Sequence, residues 1–250
     1  MPEKKVPYSH IDFVLDRSGS MGNLVADTVG GFNTFIAKQK EAPGKATVSR
    51  HQFNNQFTTD YEFVDIKDVK DLTPLDYVPG GGTALNDAIG RAVVQTQAYL
   101  DKLKASRRRR PDKVYIVTIT DGEENSSTEF RDVSKLKTLL EQKQSEKEVI
   151  WEFIFLGANL DVQRVAHTFS IPMGKVASYT SNQKGTEAMY ANVASYTSNQ
   201  KGTEAMYANV ASAMTRSRLA DADLMSRGGV LSVDNFEFSA DERSAIEDTK

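Results

Sequence analysis

The chain contains no cysteine, which excludes disulfides, thiolate metal sites and cysteine nucleophiles. Histidine is scarce: His10, His51 and His167 are the only three, and none stands at metal-ligand spacing from another. No run of about 18 apolar residues occurs, and the opening Met-Pro-Glu-Lys-Lys-Val-Pro lacks the apolar stretch of an export signal. These absences set the expectation of a cytoplasmic protein with no membrane segment. Charge of one sign is lacking too. Thirty-one Lys and Arg against 34 Asp and Glu leave a net charge of −3, so no global field draws the chain to nucleic acid or to an anionic membrane. The one dense basic run is Arg107-Arg108-Arg109-Arg110. It reads as the solvated end of a helix, where cations complement the negative pole, and no nucleic acid partner is expected.

With 39% hydrophobic residues over 250 positions, there is enough apolar material for a full core, and one domain over 1–250 is expected, with its core at about 6–221. Ile11 to Leu15 reads as a buried strand. Val25, Val29, Phe32 and Ile36 mark a helix over roughly 23–39, stopped by Pro43-Gly44. Ala46 to Phe53 and Phe57 to Val64, separated by Asn54-Asn55, predict an antiparallel hairpin. A glycine-rich loop, Pro79-Gly80-Gly81-Gly82-Thr83, opens a long amphipathic helix from Leu85 to Leu103. Lys113 to Thr120 and Val149 to Leu156 have the near-continuous β-rich character of buried parallel strands. Between them a helix is predicted with Ser127 or Thr128 as its cap and Phe130, Val133, Leu136 and Leu140 as its buried stripe. A short helix over 161–169 and an edge strand at Val176 to Tyr179 follow. This alternation predicts an α/β fold: a doubly wound, mostly parallel sheet with one antiparallel edge strand and helices on both faces.

In such sheets ligands bind beyond the carboxyl ends of the strands. Three segments arrive there with hard oxygen donors: Asp16, Ser18 and Ser20 after the first strand, Thr83 in the glycine-rich loop, and Asp121 after a central strand. Two carboxylates and three hydroxyls suit a small divalent cation that prefers oxygen ligands. Glu123 and Glu124, next to Asp121, are expected to be solvated loop acids outside the site.

The three segments, Asp16-Arg17-Ser18-Gly19-Ser20, Gly81-Gly82-Thr83 and Thr120-Asp121-Gly122, resemble von Willebrand factor A (VWA) domains with a metal-ion-dependent adhesion site. That pattern is Asp-x-Ser-x-Ser followed by a distant Thr and a distant Asp. The likeness extends over about residues 6–221, and Phe155-Leu156-Gly157-Ala158-Asn159 is similar to the bacterial and phage branch. The resemblance implies a Rossmann-like fold and Mg²⁺, Mn²⁺ or Ca²⁺ held by Asp16, Ser18, Ser20, Thr83 and Asp121. It also implies one coordination position left for an Asp or Glu carboxylate of a protein partner, which makes binding rather than catalysis the expected activity. Two other readings stay open. Asp16 could serve as the nucleophile of a metal-dependent hydrolase or phosphoryl-transfer enzyme, or the domain could be a scaffold whose metal site is idle.

Residues 176–192, VASYTSNQKGTEAMYAN, recur letter for letter at 193–209. Identity this complete is unlike a solenoid, whose repeats drift; it fits slippage or an engineered insertion. A 17-residue offset turns equivalent residues about 100° apart on a continuous helix, so only one copy can dock in a given position. The extra copy is expected to extend the last helix, to loop out, or to exchange between chains, giving a monomer or a segment-swapped dimer. The last helix should run through Met206, Val210 and Met214 to about Leu219, and Val230 to Phe238 reads as a short β-prone segment before a charged tail.

Overall fold

The computed structural model describes residues 6–158, 162–172, 175–179 and 202–226. Six strands form one sheet in the order β3-β2-β1-β4-β5-β6, with β1 Tyr8–Asp16, β2 Lys45–Phe53, β3 Phe57–Asp65, β4 Lys113–Thr120, β5 Ile150–Ala158 and β6 Val176–Tyr179. All neighbours are parallel except the β2–β3 hairpin, which supplies the antiparallel edge. The expected fold class is therefore the observed one. Chain order runs outward from β1 to β2 and β3, then returns to the other side of β1 with β4, so the sheet reverses direction between β1 and β4.

Alternation along β1 divides the core. Ile11, Phe13 and Leu15 face the layer of α1 (Val25–Glu41) and α5 (Gly202–Ser226), whereas Val14 faces α2 (Leu85–Ala105), α3 (Val133–Gln144) and α4 (Val162–Phe169). Phe13, fully buried, meets Phe32 and Phe35 of α1 edge-on at 5.1 and 4.9 Å. Burial of one such ring contributes about 1.5–3 kcal/mol. α2 forms because Leu85, Ile89, Val93, Leu100 and Leu103 recur at helical spacing and are buried, while Lys102 and Lys104 complement its carboxyl end.

One boundary differs from the sequence reading. Ser127 and Thr128 do not cap α3, which begins five residues later with Asp132 accepting the Ser134 N–H at 3.0 Å. The reason is Asp87 at the start of α2, whose carboxylate takes the amides of Thr128, Glu129 and Phe130 at 2.9, 3.3 and 2.7 Å. Those amides are committed to another element, and Phe130 wedges over Gly90, where a Cβ would lie 2.3 Å from the ring. The edge strand β6 comes from the first copy of the repeat and α5 begins in the second. The placement of the extra copy, the 230–238 segment and the tail lie outside the described residues.

Candidate metal centre

The candidate ligands meet at the carboxyl ends of β1 and β4, the two strands that flank the reversal point. Leu15 pairs with Ile119, which sets Asp16 beside Thr120. The Thr120 hydroxyl donates to Asp16 Oδ2 at 2.5 Å, and the Ser18 N–H donates to Oδ1 at 2.7 Å. Ser18 Oγ and Ser20 Oγ stand 3.1 Å apart, and Ser20 Oγ donates to Asp121 Oδ1 at 2.7 Å. A Cβ built on Gly122 would lie 3.1 Å from Thr83 Oγ1 and 3.5 Å from Ser20 Oγ. All five predicted side chains are thus brought to one cleft, and the bare glycine leaves room beside the hydroxyls.

The loops hold one another by backbone. Gly19 N–H donates to Gly81 O at 3.1 Å, Gly80 N–H to Arg17 O at 2.8 Å, and Ala84 N–H to Asn54 O at 2.9 Å. Gly81 has φ +81° and its Cβ would fall 2.3 Å from Asn55 Oδ1, so this position needs glycine twice over. The Tyr77 hydroxyl donates to the Asp16 carbonyl.

Burial is graded across the cleft. Asp16, Ser18 and Thr83 are 0, 1 and 3% exposed, whereas Ser20 is exposed and Asp121 half-buried. The floor is closed and the Ser20–Asp121 side faces solvent. Burial pushes the Asp16 carboxyl up to about 6, against the hydrogen bonds from Thr120 and Ser18, and the nearby Asp121 raises it further. Desolvation raises Asp121 as well, opposed by its bond from Ser20. Near neutral pH Asp16 is then an ionised buried carboxylate with no cationic side chain paired to it among the described residues. The donor set is of the kind a hard cation takes, and such an ion would supply the missing countercharge. Among the described residues no cluster of three or more His, Cys, Asp or Glu offers a metal another home.

Several contributors were invisible in the sequence. Thr120 reads there as one more β residue, yet it orients Asp16. Glu123 is a solvated acid as expected, paired with Arg164 at 2.6 Å on the surface. Glu124 is not. Its carboxylate accepts the N–H groups of Asn86, Ser126 and Ser127 and the Ser127 hydroxyl at 2.7–2.9 Å. The signal that could have found it is a carboxylate followed by Asn-Ser-Ser, a local capping pattern that spacing to the other ligands does not reveal.

The sheet order and the oxygen-lined cleft at its reversal point define a Rossmann-like α/β domain with a candidate cation site. The chain matches the family model of the von Willebrand factor type A domain over residues 10–151, more than half its length, and belongs to that family. No curated protein matches it significantly. Among solved structures it is similar to a von Willebrand factor type A protein from Catenulispora acidiphila (11% identity, TM-score 0.53, 84% of this chain and 43% of that one). It is similar also to the PilB minor pilin from Streptococcus sanguinis (11%, 0.53, 86% and 63%). A weaker likeness is to proximal thread matrix protein 1 from the mussel byssus, described with a zinc-occupied MIDAS motif (16%, 0.49, 75% and 45%). The chain spans about half the length of these proteins.

Proposed function

We propose that this domain binds a divalent cation, Mg²⁺ or its oxygen-preferring relatives Mn²⁺ and Ca²⁺, through Asp16, Ser18, Ser20, Thr83 and Asp121, and through it an Asp or Glu carboxylate of a protein partner. The observation that carries this is the convergence of two carboxylates and three hydroxyls from three loops on one cleft, closed below and open at Ser20 and Asp121. The bound ion would supply a positive charge at the surface. Asp16 and Ser18 would hold it from the floor, and the open side would leave a position for the partner's oxygen. Neighbouring loop surface would then set specificity.

Catalysis by the same loops fits less well. The Asp16 side chain has no exposed surface and each of its oxygens already accepts one hydrogen bond, so it is shielded from in-line attack on a bulky phosphoryl or acyl group, whereas the lone pair remaining on each oxygen suffices for a small ion. We read the domain as a non-catalytic interaction module that works in the cytoplasm. Among the described residues no helix is long and apolar enough to cross a membrane.

The reading is tested by thermal unfolding with and without Mg²⁺ or Mn²⁺. An ion at 100 times its Kd should stabilise the wild type by about 2.7 kcal/mol. Asp16→Ala and Asp121→Ala should show no such shift. Identical curves for all three proteins at every metal concentration would leave the site idle and end the proposal.

A further inference from the structure

We infer that Glu124 and Asn125 are positioning residues for the metal centre, because they lock the Thr83 loop onto the Asp121 loop so that these two ligands are presented as one body. The inference rests on the metal-binding reading above and concerns residues that the ligand pattern does not include.

The lock has three parts. Asn125 Oδ1 accepts the Thr83 N–H at 2.8 Å, and the Thr83 carbonyl accepts the N–H groups of Asn125 and Ser126 at 3.0 and 3.2 Å. Both backbone polar groups of Thr83 are therefore satisfied by the segment that follows Asp121, not by its own helix. Glu124 reaches across to the first turn of α2, accepting Asn86 N–H at 2.8 Å, while its other oxygen gathers Ser126 and Ser127 N–H at 2.9 and 2.7 Å. Asp87 reaches back the opposite way to the amides of 128–130. Two carboxylates thus cross between the same two segments in opposite senses, next to the bonds that hold Thr83.

The space around Gly82 shows how closely the segments approach. A Cβ there would lie 2.3 Å from Ser126 Oγ and 2.9 Å from Asn125 Oδ1. A hydroxyl ligand is useful to a cation only if its oxygen is already placed, since a neutral oxygen binds too weakly to order a loop by itself. Asp16 and Ser18 are fixed by β1 and its neighbour β4; the glycine-rich loop is tied to the β1 loop and to Asn54 on either side of Thr83, but the backbone of Thr83 itself is bonded by this lock.

The test is a Mn²⁺ titration of the full chain by isothermal calorimetry, run beside the Tm of each metal-free protein. Asn125→Ala removes one side-chain acceptor and keeps both backbone bonds to the Thr83 carbonyl. It should weaken Mn²⁺ binding about 10-fold or more while the metal-free Tm moves little. Glu124→Ala should weaken binding further, and Glu124→Gln, which keeps one accepting oxygen, should fall between it and the wild type. Wild-type affinity in both Asn125→Ala and Glu124→Gln would overturn the positioning role, as would a loss of affinity in Asn125→Ala that only mirrors a lowered metal-free Tm. A wild type that binds no Mn²⁺ would instead overturn the metal reading and this inference with it.

Discussion

At the scale of single residues, the sheet interior carries polar groups that a hydrophobic pattern hides. His10 on β1 is fully buried, with Nδ1 3.0 Å from Thr47 Oγ1, Nε2 3.2 Å from Ser49 Oγ, and its ring stacked on Phe63 at 3.6 Å. Two hydroxyls can satisfy a neutral imidazole, one as donor and one as acceptor. Burial accordingly lowers its pKa from 6.5 to about 4, although Asp12 pulls the other way. The sign follows from which state takes the proton. Between pH 6.5 and 4 the unfolded chain protonates this residue and the folded one does not, so stability falls as the pH falls through that window. The loss is on the order of 3 kcal/mol. Urea unfolding of the wild type and His10→Gln from pH 7 to 4 should show the wild type losing its advantage over the variant by about that amount. Carboxylates common to both proteins cancel in the difference. Parallel curves would show that His10 does not titrate as its burial requires. The candidate ligands were legible in the sequence because each carries its own oxygen, four of them at or just after strand ends and Thr83 in the glycine-rich loop that opens α2. The groups that aim them, Thr120, Tyr77 and Asn125, were not, since a hydroxyl or amide takes that role only through contacts 42 to 104 residues away.

At the scale of elements, α5 is docked by charge and hydrogen bonding as well as by apolar contact. Lys113 on β4 and Asp221 on α5 pair at 2.9 Å with side chains only 1 and 2% exposed. Tyr115 Oη lies 2.9 Å from Ser217 Oγ. Arg218 donates to the carbonyl and side-chain oxygens of Gln39 at 3.0 and 2.9 Å and to the Pro43 carbonyl at 3.0 Å, while Gln39 donates to the Ala211 carbonyl at 2.8 Å. Removing one member of a buried pair leaves the other charged and without its counterion, a cost of about 3–5 kcal/mol. Asp221→Ala should therefore lower the urea midpoint far more than Glu148→Ala, whose pairs with Lys104 and Arg110 are surface-exposed. Comparable shifts for the two would show that solvent reaches the Lys113–Asp221 pair. The type and place of the main strands and helices followed from the apolar pattern, continuous in the doubly covered strands β1 and β4 and periodic in the helices. The start of α3 did not, because Asp87 in another element claims the amides that a local cap at Ser127 would have served. Lys113 in turn reads as the polar start of a strand, and nothing near it in the chain announces a partner 108 residues on.

For the whole molecule, the expectation is that the repeat and the cleft act independently. Ala211, Thr215, Ser217, Arg218 and Asp221, which bond α5 to the sheet or to α1, lie after Asn209, where the second copy ends. Thr215, Ser217, Arg218 and Asp221 have no counterpart in the repeat, so they fix the register of α5 regardless of what the duplicated letters do. The copy continuous with them supplies the start of α5, and the first copy supplies β6, where Val176 pairs with Phe155 on β5. Residues 180–201 separate the two elements. Deleting either copy gives the same sequence, and in it only Thr-Ser-Asn-Gln-Lys joins the strand to the helix. Five residues is an ordinary length for such a connection in an α/β fold. The single-copy chain then keeps β6, α5, all of the α5 anchors and every candidate ligand. It should unfold cooperatively and bind Mn²⁺ within about threefold of the parent, since no ligand contact changes and distant sites act independently. A segment exchanged between chains through the extra copy would show as a concentration-dependent dimer in sedimentation of the parent and not of the deletion. A deletion that folds and binds as the parent does would place the duplication outside the metal site's energetics; one that folds but has lost Mn²⁺ would mean that the second copy reaches the cleft.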